Sequence, residues 1–130
     1  MIDASNWQVL LVEDEFDSAE LIAKILQYHG AKVHLARNGL ECLEKLKDLE
    51  PTIVLLDLSL PGMDGWETLI KIRANSKTAQ IPVAAITAYH SVSVAEDAHQ
   101  AGFDAYFSKP ISTTTIMFDL ANILEPGKRD

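Results

Sequence analysis

The stretch Thr52 to Leu58 (TIVLLDL) is apolar almost without interruption and carries a single charge, Asp57. A strand of that kind has no face for water, so it belongs inside a parallel sheet with helices on both sides. The rest of the chain agrees. Trp7–Val12 (WQVLLV) and Pro82–Thr87 (PVAAIT) are further apolar runs, and Ala105–Ser108 is a shorter one. Ala31–Ala36 alternates Val33 and Leu35 with Lys32 and His34, the pattern of a half-exposed strand near a sheet edge.

Helical spacing fills the intervals. Leu21, Ile22, Ile25 and Leu26 recur three and four apart, and Gly30 is free to take the positive φ that ends a helix. Asn38 is placed to cap a second helix with Leu43, Leu46 and Leu49 on its buried side. Pro61, Gly62, Asp64 and Gly65 form a dense turn signal before a third helix over Trp66–Arg73. A weakly amphipathic fourth helix is predicted over Val92–Ala101 and a last one over Thr113–Leu124. Five strands alternating with five helices imply a doubly wound α/β fold with a parallel sheet. Its crossovers are right-handed, and ligands bind beyond the carboxyl ends of the strands, near the switch in strand order.

At 130 residues, 48% hydrophobic and 23% charged, the chain suits one folded domain. The core is expected from about residue 7 to 124, with short frayed termini, the last being PGKRD. A net charge of −8 excludes a direct nucleic-acid partner, since such a surface repels phosphate. Cys42 is the only cysteine, so no internal disulfide forms, and a reducing cytoplasm is the expected setting. The start, MIDASNW, lacks a basic and apolar leader, and no run of about 18 apolar residues argues for a membrane span.

The fold brings distant residues to one sheet edge. Glu13 and Asp14 end the first strand, Asp57 the third, Thr87 the fourth and Lys109 the fifth. Three carboxylates in one crevice repel, which raises a pKa or demands a cation. Oxygen ligands at that density suit Mg²⁺. Lys109 offers a compact positive charge to a phosphoryl group, Thr87 a hydroxyl donor, and Asp57 a carboxylate able to attack phosphorus. Catalysis in such a site is positioning and electrostatics.

Each residue also has a plainer reading. Asp14 could cap the first helix, Glu13 could be a solvated strand end, and Thr87 an ordinary strand residue. Lys109 alone is a surface charge, and Tyr106 alone a core aromatic. Asp57 resists such a reading, because burying a carboxylate after four apolar residues is costly without a partner. The four histidines, His29, His34, His90 and His99, lack ligand spacing and read as solvated or locally bonded. Cys42 fills core volume, and Trp66 packs.

In this order, VLLVEDE, IVLLDLSLPGMDGWE, PVAAITA and AYFSKP resemble the receiver domain of two-component response regulators, CheY-like proteins, from Gln8 to about Leu124. The resemblance implies a flavodoxin-like sheet of order 2-1-3-4-5 and a divalent metal, Mg²⁺ or Mn²⁺. It implies that Asp57 is the phosphoacceptor, and that Glu13, Asp14, Asp57 and the Ser59 backbone carbonyl bind the metal. Thr87 and Tyr106 match the switch pair and Lys109 the phosphoryl-contacting lysine, with a cis bond before Pro110. Ser59 and Tyr89 match the positions that tune phosphoryl lifetime.

On that basis the expected function is a stand-alone phosphoacceptor switch. A sensor histidine kinase or phosphotransfer protein would supply the phosphoryl group. Output to a downstream effector protein would run through the fourth helix, fifth strand and last helix, in a monomer or weak dimer. The chain would be no enzyme beyond assisting its own phosphorylation and dephosphorylation. A piece of a larger response regulator or hybrid kinase is the alternative. A phosphatase with an aspartate nucleophile fits less well, because such enzymes usually carry a second Asp where Ser59 stands. A degenerate receiver used only for binding is opposed by the intact Asp57, Thr87 and Lys109.

Overall fold

The computed structural model describes residues 2–125. The expected fraying of PGKRD lies outside them. Five strands, β1 (Gln8–Val12), β2 (Lys32–Ala36), β3 (Ile53–Asp57), β4 (Val83–Thr87) and β5 (Ala105–Ser108), pair in parallel in the order β2-β1-β3-β4-β5. Between and after them run α1 (Phe16–Tyr28), α2 (Gly39–Leu46), α3 (Gly65–Ala74), α4 (Val92–Ala101) and α5 (Ile116–Leu124). The chain steps one way from β1 to β2 and the other way from β3 onward. The loops after β1 and β3 therefore part, opening a crevice at the carboxyl ends of two central strands.

Alternation along the strands divides the core in two. Val9, Leu11, Ile53, Leu55, Ala84 and Ile86 pack beneath α1 and α5. Leu10, Val12, Val54, Leu56, Val83 and Ala85 pack beneath α2, α3 and α4. Strands β3 and β4 are buried at every position, as the unbroken apolar runs require, whereas the edge strand β2 is half open. Gly30 takes φ 100° just after α1, and Asn38 caps α2 by accepting the Glu41 amide at 2.8 Å. Packing reaches further toward the N terminus than Trp7. Ala4 is buried, its amide donates to the His29 carbonyl at 2.8 Å, and the Ile2 carbonyl bonds His29 Nδ1 at 2.9 Å.

The last helix starts later than expected. Thr113–Thr115 form a turn, and the helix begins at Ile116. Threonine hydroxyls compete for local hydrogen bonds and β-branching crowds a helix, so three in a row delay it. At the pole away from the site, Arg73 staples α3 to the loops before β4 and β5. Its guanidinium donates to the carbonyls of Ala79 (3.1 Å), Ile81 (2.6 Å) and Gly102 (3.1 Å) and to Asp104 Oδ2 (3.1 Å).

Candidate functional site

The parallel sheet delivers its carboxyl ends to one pole, where Glu13, Asp14, Asp57 and Lys109 converge with Thr87 beside them. Glu13 follows β1, held by its amide to the Ala36 carbonyl at 2.9 Å, and Asp57 is the last residue of β3. Both are only 3% exposed. Lys109 extends β5 through its amide to the Thr87 carbonyl at 2.8 Å. Its Nζ lies 2.9 Å from Asp57 Oδ2 and 2.6 Å from Glu13 Oε1. The other carboxylate oxygen of Asp57, Oδ1, accepts the Ser59 amide at 2.8 Å. Asp14 stands exposed at the mouth, with a carboxylate oxygen within 4.8 Å of those of Glu13 and Asp57. It does not cap α1, whose N-cap is Glu15 without a side-chain bond. The Lys109–Pro110 bond is cis.

Charge is distributed unevenly in this cluster. Burial, then the neighbouring Asp57, pushes Glu13 above the ordinary carboxylate range, with Lys109 pulling the other way. Burial also raises Asp57, but its contact with Glu13, the Ser59 amide and Lys109 outweigh that, so it sits below its ordinary value. Burial works against the Lys109 ammonium, yet Glu13 and Asp57 hold its pKa above normal. Lys109 is the shared counter-charge of Asp57 and Glu13.

Thr87 ends β4 beside this cluster, 2% exposed, and its Oγ1 accepts the Tyr89 amide at 3.0 Å, leaving the hydroxyl proton free to donate elsewhere. Ser59 and Tyr89 are both exposed, Tyr89 at 73%. Tyr106 stands apart from the carboxylates. It pairs with Ala85 across β4 and β5, packs against the core beneath α4, and meets His90 through its hydroxyl at 3.1 Å.

The sequence reading missed Gly65. A Cβ there would meet the Leu58 Cα at 2.7 Å and the Asp57 carbonyl closer still, so α3 starts directly against the backbone of the buried aspartate. The signal available was a glycine, a poor helix former, at a helix start otherwise read as a turn.

The donor set suits a small hard cation. Glu13 Oε1 is buried and faces the Lys109 ammonium at 2.6 Å. Together with the Asp14 and Asp57 carboxylates it offers hard oxygen donors on one side of the crevice. Among the described residues, no helix is long and apolar enough to cross a membrane.

Known proteins resemble this chain in sequence and in fold. The family model described as "Response regulator receiver domain" matches residues 9–121. The polar-differentiation response regulator DivK of Brucella anthropi is 34% identical over 104 residues, covering 80% of this chain and 85% of that protein. The transcriptional regulatory protein ZraR of Klebsiella oxytoca is 34% identical over 116 residues, 89% of this chain but 26% of ZraR. This chain likewise spans 8% of the peroxide stress-activated histidine kinase mak1 of Schizosaccharomyces pombe. Among solved structures, the receiver domain of sensor histidine kinase PA1611 from Pseudomonas aeruginosa has a magnesium ion coordinated in its active-site cleft. It superposes with TM-score 0.83 at 27% identity, covering 91% of this chain and 97% of that one. Response regulator Rcp1, solved in a Mn²⁺-bound form, superposes with TM-score 0.79 at 25% identity, covering 92% and 95%. With the family model matching residues 9–121, most of its length, this chain belongs to the response regulator receiver domains of two-component signalling.

Proposed function

We propose that Asp57 accepts a phosphoryl group from a phosphohistidine of a sensor histidine kinase or phosphotransfer protein. One observation carries this reading. A nearly buried aspartate at a strand end has one oxygen held by the Ser59 amide and the other by Lys109. An Asp57 oxygen attacks phosphorus, the P–N bond to the donor imidazole breaks, and the ring leaves with the bonding pair. Hydrogen bonds from the Ser59 amide and Lys109 fix the rotamer of the attacking carboxylate, so little reorganisation remains at the moment of transfer. Lys109 then serves the phosphoryl oxygens, and the free Thr87 hydroxyl proton gives them a second donor.

Glu13, Asp14, Asp57 and the Ser59 carbonyl would hold Mg²⁺ or Mn²⁺, a set supported by the three carboxylate oxygens lying within 4.8 Å of one another. Such an ion, when bound, neutralises charge on the phosphoryl oxygens.

The product replaces the single carboxylate charge of Asp57 with a phosphoryl group carrying about −1.5 to −2 beside Thr87. Drawing Thr87 inward loosens its bond to the Tyr89 amide, and the loop into α4 follows, with Tyr106 moving into the space left. Output to an effector protein runs through α4, β5 and α5. Exposed Ser59 and Tyr89 set how easily water reaches the acyl phosphate, and the domain's own groups assist both its formation and its loss. We assign this work to the cytoplasm, where free Cys42 stays reduced. The test is intact mass after incubation with acetyl phosphate and Mg²⁺. Wild type gains one phosphoryl mass and Asp57→Asn none; equal labelling of both would sink the reading.

A further inference from the structure

We propose that His90 is a positioning residue that latches Tyr106 to the start of α4 and so holds the unphosphorylated arrangement. The reading rests on the phosphoryl switch above, but its bond is present in the unmodified chain. His90 Nδ1 lies 3.1 Å from the Tyr106 hydroxyl, and the two rings lie 5.6 Å apart, tilted by 38°. No other residue of the loop bridges to β5 by a side-chain bond among the described residues.

The loop from Ala88 to Ser91 is thereby tied at three points. Thr87 Oγ1 accepts the Tyr89 amide at 3.0 Å, His90 Nδ1 shares a hydrogen bond with the Tyr106 hydroxyl, and Ser91 Oγ caps α4 by accepting the Val94 amide at 3.1 Å. The first tie lies within the loop's own strand and the third within the helix it opens. Only the middle one reaches across to another strand, 16 residues away in sequence. Tyr106 sits opposite Ala85 on β4 with its ring packed against the core beneath α4, while its hydroxyl reaches out of that layer to His90. The histidine supplies that direction. A motion of Thr87 toward the phosphoryl group must break or carry this bond before α4 and Tyr106 can part. His90 therefore sets the bias between the two arrangements, and it does so without touching the reacting atoms.

The test is amide hydrogen exchange at Tyr89, Val94 and Ala95 in the full unphosphorylated chain, for wild type, His90→Phe, Tyr106→Phe and the double variant. His90→Phe keeps a ring and loses the nitrogen, and Tyr106→Phe loses only the hydroxyl. A neutral hydrogen bond is worth roughly 0.5–1.5 kcal/mol, so each single variant should speed exchange about two- to tenfold. The double variant should exchange no faster than the singles, the signature of two groups sharing one interaction. His90→Gln, which can still meet the hydroxyl, should exchange more slowly than His90→Phe. A second readout is the ring itself, whose Nδ1 resonance should move in Tyr106→Phe. Wild-type rates in both singles, additive rates in the double variant, or an unmoved resonance would overturn the latch. Phosphorylation is scored separately on the same proteins. A wild type that takes no label refutes the phosphoacceptor reading while the exchange data still decide the latch.

Discussion

Helices α1 and α4 both follow a strand that ends at the site, yet they are held very differently. The thirteen residues of α1 bury Ala19, Ile22, Ala23 and Leu26, whereas the ten of α4 bury Ala98 alone. Around the start of α4 the surface is apolar and open, with Tyr89 73% and Val92 72% exposed. One flank of the crevice is thus anchored and the other compliant. Few buried contacts mean a low local opening free energy, which is what a segment must have if a single new charge is to shift it. The carboxylates sit on the anchored flank, where movement would spoil their geometry.

The sharpest way to break this contrast is to cut each helix at its anchor. Leu26→Ala, at a fully buried position, should cost about 3 kcal/mol in urea unfolding. Next comes Arg73→Ala, at roughly 2–3 kcal/mol, because it strips donors from three carbonyls and one carboxylate. That staple confines the compliance of the α4 flank to the site pole. If its loss leaves stability unchanged, the far pole is loose as well, and the contrast between poles disappears.

A smaller effect probes the core beneath α2, α3 and α4. Burial pushes the Cys42 thiol up to about 12, from 9.0. Between these values the unfolded chain releases a proton that the folded chain keeps, so stability is full below pH 9 and falls as pH rises. By pH 10 the loss should be about 1.4 kcal/mol, and Cys42→Ala should flatten that slope in paired melts at pH 8 and 10. An equal slope in both proteins would mean that water reaches this layer. The least effect belongs to Ala98→Gly, about 1 kcal/mol, read as faster exchange within α4 and unchanged exchange within α1. A global loss matching that of Leu26→Ala would show α4 to be as firmly held as α1.

Local signals carried most of the architecture. The unbroken apolar run of β3, the three-and-four spacing in α1, Gly30 and the Asn38 cap all act within a few residues, so they can be read along the chain. The convergence of Glu13, Asp14, Asp57 and Lys109 followed from one topological rule. What stayed hidden is what only coordinates bring together. Arg73 and Asp104 lie 31 residues apart, and Tyr106 meets His90 rather than the carboxylates. Nor does spacing say that Lys109 reaches Glu13 as well as Asp57. Asp14 was open to a capping role, and the structure leaves the cap position to Glu15.

Gly65 has a mechanical consequence. Because α3 begins against the bare backbone of Asp57 and Leu58, that side has no slack for β3 to recoil, were its last residue to gain the bulk and charge proposed above. Like an anvil, the helix start turns any push aside, toward β4 and the loosely seated helix beyond it.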